Sequence, residues 1–385
     1  MGKKKKKVIK YSGIGGQAVL EGVMMKNAEK YAVAVRKPDG DIEVDVENFQ
    51  GALHGSKIKE LPLIRGVFNF IDSMTLGTKT LNYSASFYED EDAKDHLSDK
   101  ALDKLTGGRA EKVMSFMLTL VAVCLAVGLF IVLPYYISSK IESYVRNASL
   151  MAIIEGGIRI GIFVLYVLLI SLMKDIKRLF MYHGAEHKCI NCIERGRPLT
   201  VSNVMRSSRL HKRCGTSFIF FVMVVSIILF FFIRVDNTVY RLLLRLALIP
   251  VIAGISYEFI RIAGRSNNII IRILSLPGLL IQRITTKEPS KDMVEVAIAS
   301  VEAVFDWKSF MAENFPEKWG KYQTEEALAS QNASESDEVE VAMQENAGAP
   351  HDDEQSQIDV ENGTDASTAG AGIDSEHSHV DNEES

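Results

Sequence analysis

The chain has 385 residues, 44 Lys/Arg against 49 Asp/Glu, a formal net charge of −5 and a hydrophobic share of 47%. That length allows two or three soluble domains, but the mean hydropathy of +0.07 averages two unlike parts. From Gln323 onward there are 18 acidic residues and no Lys or Arg, so the formal charge divides into about +13 before that point and −18 after it. No tandem basic–aromatic pattern runs through the chain, so nucleic acid is not an expected partner.

The first ten residues, "MGKKKKKVIK", are basic, but no apolar run follows before Val113, which argues against a secretory signal. Lys6 stands where a myristoylation motif needs Ser or Thr. The lysines read as a cytoplasmic anchor to anionic lipid. Residues 1–112 are expected to form a small cytosolic α+β segment. "YAVAVRKPDGDIEVDVENF" alternates apolar and polar residues on both sides of Pro38-Asp39-Gly40, the pattern of a β-hairpin. Leu61 to Phe87 has helical apolar spacing and suits a helix lying along a membrane surface. "YEDEDAKDHLSDKALDKLTGG" then reads as a polar helix or linker.

Residues 113–286 are expected to be a membrane domain. Four apolar runs, near 113–133, 156–173, 216–234 and 241–260, have no charge at their centres and approach the ~20 residues that a helix needs to cross a bilayer. Arg159 and Arg245 lie near span ends, where their side chains can snorkel to the interface. Lys174–Gly215 holds ten Lys/Arg against three Asp/Glu, whereas the two other links are short and nearly neutral. The positive-inside rule then places both termini and the loop 174–215 in the bacterial cytoplasm, beneath the plasma membrane. After the fourth run, "NNIIIRILSLPGLLIQRITT" is interrupted by Pro277-Gly278 and reads as interfacial or re-entrant. Ser290 should cap an amphipathic helix within 287–321. Residues 322–385 read as a disordered acidic tail, too poor in apolar residues to offset its chain entropy, with a protein partner possible. The expected fold is a mainly α membrane protein whose first partner is the lipid bilayer.

The chemistry concentrates in the cytosolic loop. His183-Gly-Ala-Glu186-His187 has the H-x-x-E-H form of inverted zinc hydrolases. On a helix the two histidines share a face one turn apart, suited to one metal, with Glu186 placed to activate a metal-bound water. Cys189 and Cys192 have C-x-x-C spacing but no second pair, and a continuing helix turns both away from the histidines. Cytosolic reducing conditions argue against a disulfide between them. Glu194 returns to the histidine face, about two turns beyond His187, and at best supports a ligand from behind or lies at the rim. Three residues elsewhere could complete the site: His211 and Cys214 in "RLHKRCG", and Glu258 in "ISYEFIRIAG", whose structural alternative is an ion pair with Arg261. The Gly-rich "SGIGGQAVLEGVMM" lacks the Lys-Ser/Thr of a phosphate loop and reads as a tight backbone approach to the rest of the protein.

Three separated blocks, "GIGGQAVLEGVMM", the region from "YHGAEHKCINC" to "SRLHKRCGTSF", and "GISYEFIRIAG", resemble the YqhQ-like family across about Ser12 to Val304. These are bacterial multi-span membrane proteins carrying a domain of unknown function and described as predicted metal-dependent enzymes. The resemblance implies that His183, Glu186, His187, Glu194, His211, Cys214 and Glu258 sit at motif positions, and that Cys189 departs from the pattern. The function expected is that of an integral membrane metalloprotein. The expected activity is that of a metal-dependent hydrolase with a divalent transition metal, zinc first, bound by His183, His187 and one of Cys214, His211 or Glu258, and with Glu186 as general base. The alternative is a non-catalytic metal-binding scaffold, assembly or regulatory factor. A transporter has little support from four spans and one buried acid.

Overall fold

The computed structural model describes residues 9–325, apart from 53–54, 89–109, 142, 146, 233–234, 236 and 267. The chain divides into two units, Met1–Glu326 and Ala327–Ser385, and the second lies wholly outside the described residues. The Lys-rich start, the polar linker and all but the first residues of the acidic tail therefore fall outside them too.

Four strands, β1 (Gly15–Val19), β2 (Gly22–Asn27), β3 (Lys30–Arg36) and β4 (Ile42–Asn48), form one antiparallel sheet in chain order. The β3–β4 pair is the hairpin expected around Pro38-Asp39-Gly40. β1 and β2 were not expected, because Gly15, Gly16 and Gly22 weaken the strand signal. The expected apolar-in, polar-out alternation holds in neither strand: Val44 and Val46 of β4 are exposed, and in β3 Tyr31 to Val35 are all buried. In β3 the reason is that both faces of the sheet are covered, so a central strand needs apolar residues on each side.

One face carries Val19, Met24, Tyr31, Val33 and Val35 against Leu76 of helix α1 (Ile64–Ala85). The other carries Val23, Met25, Ala32 and Ala34 against Tyr182, Ile190, Val294 and Ala297. Those four belong to two helices, to be called α5 (Lys174–Glu194) and α11 (Lys291–Val304). Ser290 is the N-cap of α11, as expected, although its side chain makes no capping bond. After helix α12 (Trp307–Asn314), Trp319 and Tyr322 pack against Trp307, and the chain stays helical to residue 325, three residues past the expected start of the tail at 322.

Between α1 and α5 come α2 (Ala110–Val127), α3 (Leu133–Ile141) and α4 (Ala148–Ile170). A π-helical turn joins α2 to α3, with the Leu133 N–H donating to the Gly128 carbonyl. Pro134 sits at the start of α3, where its missing donor costs little, so the helix runs on to Ile141 instead of ending near 133. Beyond α5 lie α6 (Val201–Met205), α7 (Gly215–Phe232), α8 (Thr238–Ala247), α9 (Ile249–Arg265) and α10 (Ile269–Thr285).

Among the described residues, three helical stretches are long and apolar enough to cross a membrane: Leu120–Ile141, Ser149–Ile170 and Gly215–Phe232. The fourth expected span, 241–260, is not one helix. Pro250 cannot donate and would clash with the carbonyl four residues back, so α8 stops at Ala247 and α9 restarts at Ile249. α9 and α10 qualify only together, as a pair bent by 115°. Phe163 and Val167 of α4, Phe220 and Met223 of α7 and Ile281 of α10 form the apolar contact among these helices.

Candidate metal centre

α5 is unbroken through the H-x-x-E-H motif, so His183 and His187 stack one turn apart, with ring centroids 4.4 Å from each other. The residue before α7 is Cys214, whose Sγ lies 3.3 Å from His183 Nε2. Donor atoms of His183, His187 and Cys214 all lie within 4.8 Å of one another.

Each histidine is oriented by a distant carbonyl. His183 Nδ1 is 3.0 Å from the Thr285 carbonyl and His187 Nδ1 is 2.6 Å from the Arg209 carbonyl. A carbonyl only accepts, so each Nδ1 carries a proton and each Nε2 is the nitrogen that would be left to a metal. The segment that carries the Arg209 carbonyl is held by the neighbours of His187 on α5. There Lys188 Nζ donates to the carbonyls of Met205 and Ser207, and Asn191 donates to those of Ser208 and Leu210. Gln282 of α10 accepts from the His211 N–H and donates to its carbonyl and to Ser217, tying the stretch before Cys214 to α10.

Burial pushes the Cys214 thiol up, but His183 and His187 beside it win and hold it well below its ordinary value. Burial pushes His183 down, and the Cys214 thiolate more than offsets this, lifting the ring to about 9. A thiolate and two oriented imidazoles are a borderline-soft donor set of the kind zinc takes.

Glu186 is 3% exposed, and burial raises its carboxyl above the ordinary value, opposed by the two histidines and by the Gly16 amide. Its Oε2 is buried without a hydrogen-bond partner, 3.9 Å from His183 Nε2. A buried oxygen left unpaired is costly, and a ligand held beside the three donors would satisfy it. The residues present therefore fit a metal, which His183, His187 and Cys214 would hold with Glu186 beside it.

The other expected ligands lie elsewhere. The His211 ring centroid is 5.7 Å from that of His187, and its Nε2 faces Glu194 Oε2 at 3.4 Å. Glu194 is buried rather than at a rim. It accepts from the Ser12 N–H and hydroxyl and from Arg213, whose guanidinium covers the Tyr11 ring. Glu258 forms a two-point ion pair with Arg65 of α1, with Arg261 at 3.8 Å, so it joins α1 to α9 and is not brought to the histidines. The ion-pair alternative holds, with Arg65 as the main partner. Cys189 and Cys192 are fully buried in the core between α5 and the sheet, as the helical wheel required.

Gly16 is a site neighbour that sequence reasoning left as a general backbone approach. A Cβ there would meet the Met24 carbonyl and would lie 3.2 Å from Glu186 Cγ, so β1 passes directly over the carboxylate. The carbonyls of Thr285 and Arg209 carry no sequence signal at all, since any residue offers one.

Residues 61–307 match a family described as "Protein of unknown function (DUF1385)". The uncharacterized protein YqhQ of Bacillus subtilis (strain 168) is 33% identical over 301 residues, which cover 78% of this chain and 94% of that protein. No solved structure matches significantly. The chain belongs to the DUF1385 family, of the YqhQ-like kind, as its three motif blocks implied.

Proposed function

We propose that this protein is a multi-pass protein of the bacterial plasma membrane and a metal-dependent hydrolase whose zinc site opens to the cytosol. The membrane part rests on apolar helices that the protein itself leaves uncovered: only 6% to 17% of each of the three span windows is buried. Leu118, Leu125, Leu172 and Phe232 are each more than two-thirds exposed, a surface that water would penalise and lipid would not. The basic bias of Lys174–Gly215 puts the candidate site and both termini on the cytosolic side.

The hydrolase part rests on one observation, the unpartnered buried Oε2 of Glu186 beside three converging donors. His183, His187 and Cys214 would hold the metal, which supplies a Lewis acid when bound. The Thr285 and Arg209 carbonyls keep both rings in the binding tautomer. Glu186, biased toward holding a proton by its burial, takes one from the attacking water and returns it to the leaving group. A non-catalytic scaffold would be better served by a fourth protein ligand closing the site.

Glu186→Gln tests this. Purified variant protein should keep the zinc content of wild type, whereas His187→Ala should lose it. Removing a positioned general base costs about 10²–10⁴ in rate, so Glu186→Gln should fail to rescue a deletion strain. Full rescue with metal intact would favour the scaffold, and metal lost from Glu186→Gln would make Glu186 a ligand rather than a base.

A further inference from the structure

A second charged cluster lies among the apolar helices and takes no part in the metal centre. Arg159, expected to snorkel from a span end, instead lies within the apolar Ser149–Ile170 stretch and is 9% exposed. Its Nη2 donates to Glu155 Oε1, one turn back on α4, at 3.0 Å, and its Nη1 to Ser226 of α7 at 3.4 Å. Gly156 permits that approach, since a Cβ there would meet Ile227 of α7 at 2.8 Å. Arg245 of α8 reaches the same carboxylate, its Nη1 and Nη2 donating at 2.9 and 3.2 Å. The Arg159 and Arg245 guanidiniums both stand over the Phe230 ring, 5.9 and 4.9 Å from its centre.

Two cations share one carboxylate, so the cluster carries an excess positive charge. Among the described residues no second acid pairs with either arginine. Arg159 Nε is buried and makes no hydrogen bond. The pair of Arg245 with Glu155 would by itself be neutral and would suffice to join α4 to α8. Arg159 adds a buried charge and an unmet donor, which apolar surroundings penalise heavily. One negative charge bound at the cluster would offset both. The surroundings indicate its carrier. Leu150 and Ile153 of α4 and Leu243 and Leu246 of α8 are 45% to 58% exposed, so the helices that bear the cations also offer an apolar surface. The Arg159 and Arg245 side chains keep 11% and 16% of their exposure, so the cluster is not sealed off. A soluble anion matches the charge alone, whereas a phospholipid matches the charge and the apolar margin.

Resting on the membrane placement given above, we propose that Glu155, Arg159 and Arg245 form a lipid site that takes the phosphodiester of an anionic phospholipid such as phosphatidylglycerol. A phosphate oxygen accepts from Arg159 Nε and another faces Arg245, while Glu155 balances one of the two cations. The acyl chains lie along α4 and α8. Glu155 is in the half of α4 remote from α5, and the Arg159 side chain leans toward it. The site therefore belongs to the leaflet away from the metal centre.

The test uses the full-length protein in detergent, titrated with phosphatidylglycerol or phosphatidylcholine of matched acyl chains and read by native mass spectrometry. Wild type should hold phosphatidylglycerol about tenfold more tightly, the scale of one charge-assisted hydrogen bond. Arg159→Gln leaves Arg245 and Glu155 as a neutral pair and should remove the preference. Glu155→Gln leaves two cations and should raise it, a gain that a merely structural ion pair does not produce. Should either variant fail to fold, a phosphatidylglycerol with photoreactive acyl chains should crosslink wild type on α4 or α8, and crosslinks confined to other segments would overturn the site. Equal affinity of wild type for the two lipids, or an unchanged preference in Arg159→Gln, would overturn it too. Displacement of phosphatidylglycerol by millimolar inorganic phosphate would assign the site to a soluble anion and overturn the lipid. Alkaline carbonate extraction reads the membrane placement separately. Wild type released from bacterial membranes would sink that placement, whereas wild type retained there without a lipid preference would sink this proposal alone.

Discussion

His211 and Cys214 are three residues apart and equally good ligands on paper, yet their surroundings divide them. Cys214 Sγ meets His183, whereas His211 is turned to Glu194, with the Arg213 guanidinium on the same carboxylate. Burial holds the His211 ring below its ordinary value, with Glu194 opposing and Arg213 and His187 assisting. Burial pushes Glu194 up, but His211, Arg213 and the Ser12 amide keep it below the usual carboxylate range. The two groups act in different pH windows. Below about 6.5 the unfolded chain binds a proton at residue 211 that the folded chain resists, so stability falls as pH drops through that value. The contribution of Glu194 persists until the carboxylate range is reached. His183, raised to about 9, acts with the opposite sign, its stability being complete below about 6.5 and lost as pH climbs through 9. Comparison with His211→Gln cancels that part. In metal-depleted protein, the loss of thermal stability between pH 7.5 and 5.5 should be smaller in His211→Gln than in wild type. Equal losses would place the pH dependence outside this network.

At the level of elements, the site is the meeting of α5 with the segment that follows α10. Gly184, inside the motif, has the Lys287 carbonyl where a Cβ would sit, and the Lys287 N–H donates to the Phe180 carbonyl at 2.8 Å. Thr285, whose carbonyl orients His183, is two residues before Lys287. Gly184→Ala would push this segment off the helix and carry that carbonyl with it. Overpacking of this kind costs about 1–3 kcal/mol. The variant should unfold at lower temperature and also bind zinc more weakly than wild type, as measured by thermal melts and competitive chelation. A lower melting temperature with unchanged zinc affinity would mean that the Thr285 carbonyl does not set the His183 ring. The same contact explains why the motif here reads His-Gly rather than His followed by a larger residue.

For the whole molecule, the expected topology turns on the ten-to-three basic excess of Lys174–Gly215. The native thiols suit a labelling experiment, since Cys189 and Cys192 are 0% exposed and only Cys124 of the four cysteines is open to reagent. In a Cys124→Ser background, Ser143→Cys in the link between α3 and α4 should react with an impermeant maleimide in intact spheroplasts. Asp39→Cys, at the exposed tip of the β3–β4 hairpin, should react only after permeabilisation. The reverse pattern would move the metal centre to the outer side of the membrane.

The apolar runs, the β3–β4 hairpin, α1, α11 and the placement of His183, Glu186 and His187 on one helical face were all legible from residue order. Each depends on periodicity within one element, which neighbouring residues determine through backbone geometry. Pro250 is a breaker signal too, but the hydropathy of the run around it outweighs it. What residue order could not decide was convergence. Cys214 lies 31 residues from His183, the carbonyl that orients His183 is 102 residues away, and Arg65 is 193 residues from Glu258. Three chemically plausible third ligands were separated only by which helices pack together, and β1 acquired its place over Glu186 only because both faces of the sheet found helices to cover them. Such choices are made by burial and long-range packing of the folded chain, which no local pattern encodes.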